Sequence, residues 1–133
     1  MKIKISKKKP LIFWILKWKY SVKWGTLVIA WGNTIYSGEN FSDDLYVHEI
    51  THLTRQRYSK LRGLIWWWKY LKNPQFRMNE ELEAYRNQWK FIKKTVQDRN
   101  KRSVLLEHIV ASFSGKMYGN IITPYHARRM IQQ

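Results

Sequence analysis

Five residues in this chain are spaced for metal chemistry: His48-Glu49-Ile50-Thr51-His52. On a helix, positions i and i+4 lie one above the other, so the two imidazoles face one point and can share an ion. Glu49 lies beside them, placed to touch a water on the metal rather than the metal itself. Zinc fits this chemistry because it accepts imidazole and carboxylate and keeps a position open. It lowers the pKa of a bound water to about 7, and a neighbouring carboxylate can then act as general base toward a carbonyl. Chance placement of the pattern in a chain of this composition is expected only about 0.005 times, which makes a composition accident a poor account of it. A catalytic zinc takes three protein ligands. His108 and His126 are far along the chain, and the nearer candidates are Glu80, Glu81 and Glu83.

The carboxylates are distributed unevenly. Glu39, Asp43, Asp44 and Glu49 form one group and Glu80, Glu81 and Glu83 another, so 7 of 9 acids occupy two short segments. Helix-start charge placement explains Asp43 and Asp44. It does not explain Glu49, which lies past the first turn. Both segments are therefore expected to face one cationic centre.

The elements that must position these residues can be read from the periodicity. Residues 1–38 read as β. Ile3 and Ile5 alternate with lysines, the apolar run 11–16 is expected to be a buried strand, and residues 26–31 form another. Gly32-Asn33 is a hairpin link, since both residues tolerate positive φ. From Ser42 the period becomes helical, with Ser42 or Asp43 as cap, and the metal helix is expected to run to about Tyr58. A short helix over 64–71 follows, and Asn73-Pro74 is expected to be a turn. A third helix spans about 78–97, a fourth runs from a Ser103 cap to near Gly115, and a last one starts at Thr123-Pro124. Trp66, Trp67 and Trp68 cannot all face one core, because successive helix residues are ~100° apart.

The residues from about 26 to 89 resemble a zinc metallopeptidase of the gluzincin type, in a minimal version of the kind found in small bacterial and phage proteins. The likeness is carried by Asn33-Thr-Ile-Tyr-Ser37, by the segment from Asp44 through the two histidines to Gln56, and by Arg77-Met-Asn-Glu-Glu-Leu-Glu-Ala-Tyr85. In that family the third ligand is a Glu followed three residues later by Ala and often four later by Asp. Ala84 follows Glu81 by three, so the resemblance implies Glu81 as ligand and Glu49 as general base. Tyr85 stands where the Asp often is, which leaves Glu80 as an alternative ligand. The implied architecture is a single α+β, zincin-like domain over 1–133. A small N-terminal sheet precedes the metal-binding helix and a helical C-terminal half. The implied activity is peptide-bond hydrolysis with one Zn2+ per chain, on a peptide, protein or peptidoglycan cross-link.

Other residues complete the expectation. His126, Tyr118 and His108 could each polarise a substrate carbonyl, and His126, just after Pro124 at a helix start, ranks first. Gln56, one turn after His52, is a candidate to orient a ligand. Cysteine is absent, which excludes thiolate chemistry and disulfides. The formal charge of +16 favours an acidic partner, whether nucleic acid, envelope polymer or protein lattice. A virion or envelope binding protein that keeps the metal fold, and a basic nucleic-acid-binding protein, are thus the rival readings, with self-association through exposed tryptophan a further possibility. Lys7-Lys8-Lys9 and the apolar run after it are too short for a signal peptide h-region, and no run reaches the ~20 residues of a membrane span. A cytoplasmic or virion-associated location is the expectation. Trp14, Trp18 and Trp24, interleaved with lysines, could rest on an anionic membrane surface.

Overall fold

The computed structural model describes residues 2–25, 27–115 and 122–133. Among these, the chain is α+β: a three-stranded sheet and six helices. The strands are β1 (Lys4–Ser6), β2 (Val28–Trp31) and β3 (Thr34–Ser37), in the order β1-β3-β2. The helices are α1 (Leu11–Tyr20), α2 (Asp43–Arg55), α3 (Lys60–Lys72), α4 (Pro74–Thr95), α5 (Arg99–Phe113) and α6 (Pro124–Gln132).

The hairpin forms where the sequence places it. Trp31 pairs with Thr34 across Gly32-Asn33. Gly32 has φ +66 and Asn33 is not among the positive-φ residues, the pattern of a II′ turn, which matches the twist of the flanking strands. β1 adds in parallel on the other side of β3, Ile5 opposite Ile35.

Residues 11–16 are the main correction: they are not a strand but the first half of α1. Ile12, Phe13 and Leu16 enter the core, while Leu11, Trp14, Ile15 and Trp18 are exposed. With apolar side chains on both sides, the helical period is hidden. α3 starts at Lys60 because Ser59 accepts from the Arg62 amide. α4 starts at Pro74 because the Asn73 side chain accepts from the Phe76 amide, so Asn73-Pro74 is an N-cap and N1 pair rather than a turn. α5 is capped by Asp98 and not Ser103, which lies inside the helix. Thr123-Pro124 opens α6 as expected.

The main core gathers Phe13 and Leu16 of α1, Ile29 of β2, Trp66, Trp67 and Tyr70 of α3, Trp89 of α4 and Phe113 of α5. A smaller cluster, Ala30, Ile35 and Leu53, sits between the sheet and α2. Trp66 and Trp67 are buried and Trp68 points outward, as ~100° steps require. α2 packs along α4 and against β2, and that pairing builds the site.

Candidate metal centre

The row Asp44, His48, His52 and Gln56 runs along α2 at steps of four, each residue one turn beyond the last. α4 presents Glu81 and, two turns on, Gln88. All six residues but Asp44 are buried.

The centre itself is three side chains. His48 Nε2 lies 3.2 Å from His52 Nε2 and 3.1 Å from Glu81 Oε2. His52 Nε2 lies 3.2 Å from the other carboxylate oxygen. A tetrahedral zinc with bonds near 2.05 Å holds its ligand atoms about 3.3 Å apart. The donor spacing therefore already suits the ion. A small cavity of ≈ 60 Å³ opens on the three side chains and Glu49.

The hydrogen bonds around His48 orient its ring toward the other two side chains. Asp44 Oδ2 accepts from Gln88 Nε2 at 2.7 Å. The amide is thereby oriented, and Gln88 Oε1 faces His48 Nδ1 at 3.0 Å. Nδ1 must then donate, which leaves a bare lone pair at Nε2. In the neutral ring that lone pair faces a carboxylate oxygen, an acceptor against an acceptor, a contact relieved either by a proton on Nε2 or by a metal ion between them. The remaining Glu81 oxygen accepts from Tyr70 Oη at 2.8 Å. Tyr85, at the position where the gluzincin pattern often has Asp, instead packs its ring on His48 with centroids 4.4 Å apart. His52 Nδ1 is buried without a hydrogen-bond partner among the described residues.

The electrostatics follow the geometry. Burial pushes the Glu81 carboxyl up, but His52 and His48 beside it outweigh burial and hold it well below the ordinary carboxylate range. Burial pulls His52 down, and Glu81, with lesser help from Glu49 and Glu80, outweighs that and raises it. Glu49 is raised, first by burial and also by Glu81, against the opposing pull of His48 and His52.

Glu80 does not reach the centre. One oxygen accepts from Arg55 Nε and the other from Trp66 Nε1 at 2.7 Å. Glu83 is exposed. The expectation that both acidic segments face one centre therefore holds for Asp44, Glu49 and Glu81. Glu80 ties helices together, and Glu39 and Asp43 line a separate hollow with Phe41 and Tyr46.

A larger cleft of ≈ 340 Å³ leads to Glu49 and His48. Leu27 and Val28 form its strand side, and Leu105, His108, Ile109 and Ser112 of α5 its helix side. Of the residues considered for the carbonyl that are described, His108 and His126, His108 lines this cleft. His126 does not: it is exposed, lines neither cavity, and its ring Nδ1 lies 2.9 Å from Thr123 Oγ1, part of the α6 cap. The proximity to Pro124 that drew attention to it makes it a helix-start residue instead. Tyr118 lies outside the described residues.

Gln56 orients no ligand. It is wholly buried, accepts from the Gly32 amide at 2.8 Å and donates to Ala30 O at 2.9 Å, which ties the end of α2 to the hairpin. Sequence reasoning missed Gln88 and Tyr70. Gln88 was detectable as the polar residue two turns after Glu81 on an otherwise buried face. Tyr70 carried no signal, because it comes from a helix read for its tryptophans.

No protein-family model matches this chain, and no curated protein or solved structure matches it.

Proposed function

We propose that this chain is a zinc-dependent peptidase of zincin-like fold, with His48, His52 and Glu81 as ligands and Glu49 as general base. The observation that carries the reading is the convergence of two imidazole nitrogens and a carboxylate at 3.1–3.2 Å beside a second buried carboxylate, Glu49. Zinc held there would acidify a water and polarise a carbonyl. Glu49 takes a proton at its carboxylate and returns it to the leaving nitrogen, a role suited to a carboxyl whose pKa lies above the ordinary range. His108, on the far wall of the cleft, replaces His126 as the group that would donate to the developing oxyanion.

An extended substrate would run along β2, an edge strand whose Val28 lines the cleft. Ala30 O on that edge already accepts from Gln56 and Trp67, so substrate pairing is confined to the Leu27–Val28 end.

One observation favours a second reading, a structural zinc in a binding protein: all three ligands are buried and the void beside them is small. Zinc analysis of the purified chain beside His52→Ala, with turnover of unstructured peptides by wild type and Glu49→Gln, tests both. About one zinc per wild-type chain and hydrolysis lost in Glu49→Gln support the peptidase. Zinc without hydrolysis in either protein supports the structural role. Equal, negligible zinc in wild type and His52→Ala refutes both.

A further inference from the structure

α1 and α3 carry the same unusual feature. On α1, Leu11, Trp14, Ile15 and Trp18 are exposed, Trp18 to 86%. On α3, Leu61, Leu64, Ile65 and Trp68 are exposed, Trp68 to 63%. Both sets follow i, i+3, i+4, i+7, so each is a continuous apolar stripe along its helix. Each stripe lies opposite the residues its helix buries, Ile12, Phe13 and Leu16 in one case and Gly63, Trp66, Trp67 and Tyr70 in the other. Both buried faces enter the same core. The C-terminal ends of the two helices are tied by Lys19 Nζ donating to Leu71 O. Two Trp-ended apolar stripes therefore each face away from a shared core, on helices joined at their C-terminal ends.

Charge identifies what covers them. There is no acid before Glu39 and none between Glu49 and Glu80, and these two stretches hold 15 of the 25 cationic residues. Lys9 and Lys17 lie over the Trp14 ring. A groove of ≈ 450 Å³ is lined by Arg55, Arg57 and Arg62 together with Leu61 and Ile65 of the α3 stripe. That pairing of guanidinium and aliphatic surface suits a phosphate joined to a hydrocarbon chain. A second copy of this chain would bring the same positive charge to the contact and be repelled. No helix among the described residues is long and apolar enough to cross a membrane.

We propose that the α1–α3 face lies on an anionic lipid bilayer, with Trp14, Trp18 and Trp68 in the headgroup region and the flanking lysines and arginines on lipid phosphates. The proposal is independent of zinc and of hydrolysis.

The test is co-sedimentation of the full chain with phosphatidylcholine vesicles that contain or lack phosphatidylglycerol, with quenching of tryptophan fluorescence by lipids brominated in the acyl chain. Binding to the anionic vesicles with quenching is expected. Trp18→Ser and Trp68→Ser, both at exposed positions that leave the core intact, should each weaken partitioning by about tenfold. Val104→Ser, an exposed apolar residue on α5, should not change it. Binding without quenching, unchanged in the double variant and abolished by salt, would mean charge adsorption alone and overturn the proposal. Absence of vesicle binding, with a dimer that the double variant loses, would assign the face to contact between copies and overturn it equally.

Discussion

The side-chain oxygen of Gln88 meets Nδ1 of His48 at 3.0 Å. One helix thereby decides which nitrogen the other would offer to a metal. Gln88→Leu should keep the fold, because α4 is unbroken there, and should let the His48 ring rotate and exchange tautomers. Outer partners of metal ligands are typically worth 10–100-fold in affinity. A zinc affinity reduced by about that factor is the expected outcome of competition titration with a chromophoric chelator; an unchanged affinity would remove Gln88 from the site.

Glu80 and Glu81 are neighbours with separate tasks, and substitution should separate them. Glu81→Gln should cost zinc binding strongly. Glu80→Gln should leave zinc stoichiometry at one and cost stability, because Trp66 Nε1 and Arg55 Nε lose a charged acceptor. A loss of about 1–2 kcal/mol is expected, read from urea unfolding. If Glu80→Gln is the change that loses zinc, the ligand assignment fails.

Zinc binding should depend on pH in a defined direction. His52 must be neutral to act as a ligand, yet in the metal-free chain its pKa is raised above the ordinary 6.5. A raised pKa means the proton is held at and somewhat above pH 6.5, so zinc must displace it there. Affinity should fall about tenfold for each pH unit below the raised value and level off above it. Glu81, held ionised by its neighbours, should add no second step in this range. Calorimetry in buffers of different ionisation enthalpy should find about one proton released per zinc just below neutrality and a declining number as pH rises.

Gly63 should not tolerate a side chain. A Cβ there would stand 2.5 Å from Gln56 Oε1 and 2.7 Å from Trp31 Cδ1. Both neighbours are held, Gln56 by the hairpin and Trp31 by its Nε1 bond to Lys60 O. Gly63→Ala should therefore destabilise by about 1–3 kcal/mol, seen as a lowered Tm with zinc per folded chain unchanged.

The legibility of this site in the sequence follows from where its information is stored. His48, Glu49 and His52 are local, fixed by one helical period, and could be read directly. Glu81 needed a second helix in the right rotation, and its place at the edge of the Leu82–Tyr85 apolar stripe, three residues before Ala84, pointed to it. Which α5 residue completes the cleft depends on how a distant helix packs, and proximity in sequence to a helix start pointed to His126 instead of His108. The same Asx/Thr-Pro signature opened α6 as read but was taken for a turn before α4, because the polar–apolar alternation Gln75-Phe76-Arg77-Met78-Asn79 concealed the helical period. The strand expected over 11–16 failed for the opposite reason: α1 is apolar on its solvent side as well as its core side, and no period is visible in a uniformly apolar run.

The separation of charges has a kinetic consequence. The acids at the cleft, Asp44 and Glu49, and Glu81 behind them form a negative inlet inside a chain of net charge +16. At long range a dication feels repulsion and an acidic polymer feels attraction; within about a Debye length, ~10 Å at 0.1 M salt, the inlet reverses the sign for the dication. Loading of a metal ion and capture of an anionic target, if the chain does both, would thus respond to ionic strength in opposite directions. Added salt would weaken the long-range repulsion of a dication and the long-range attraction of an acidic polymer alike, so the medium would bias which of the two arrives first.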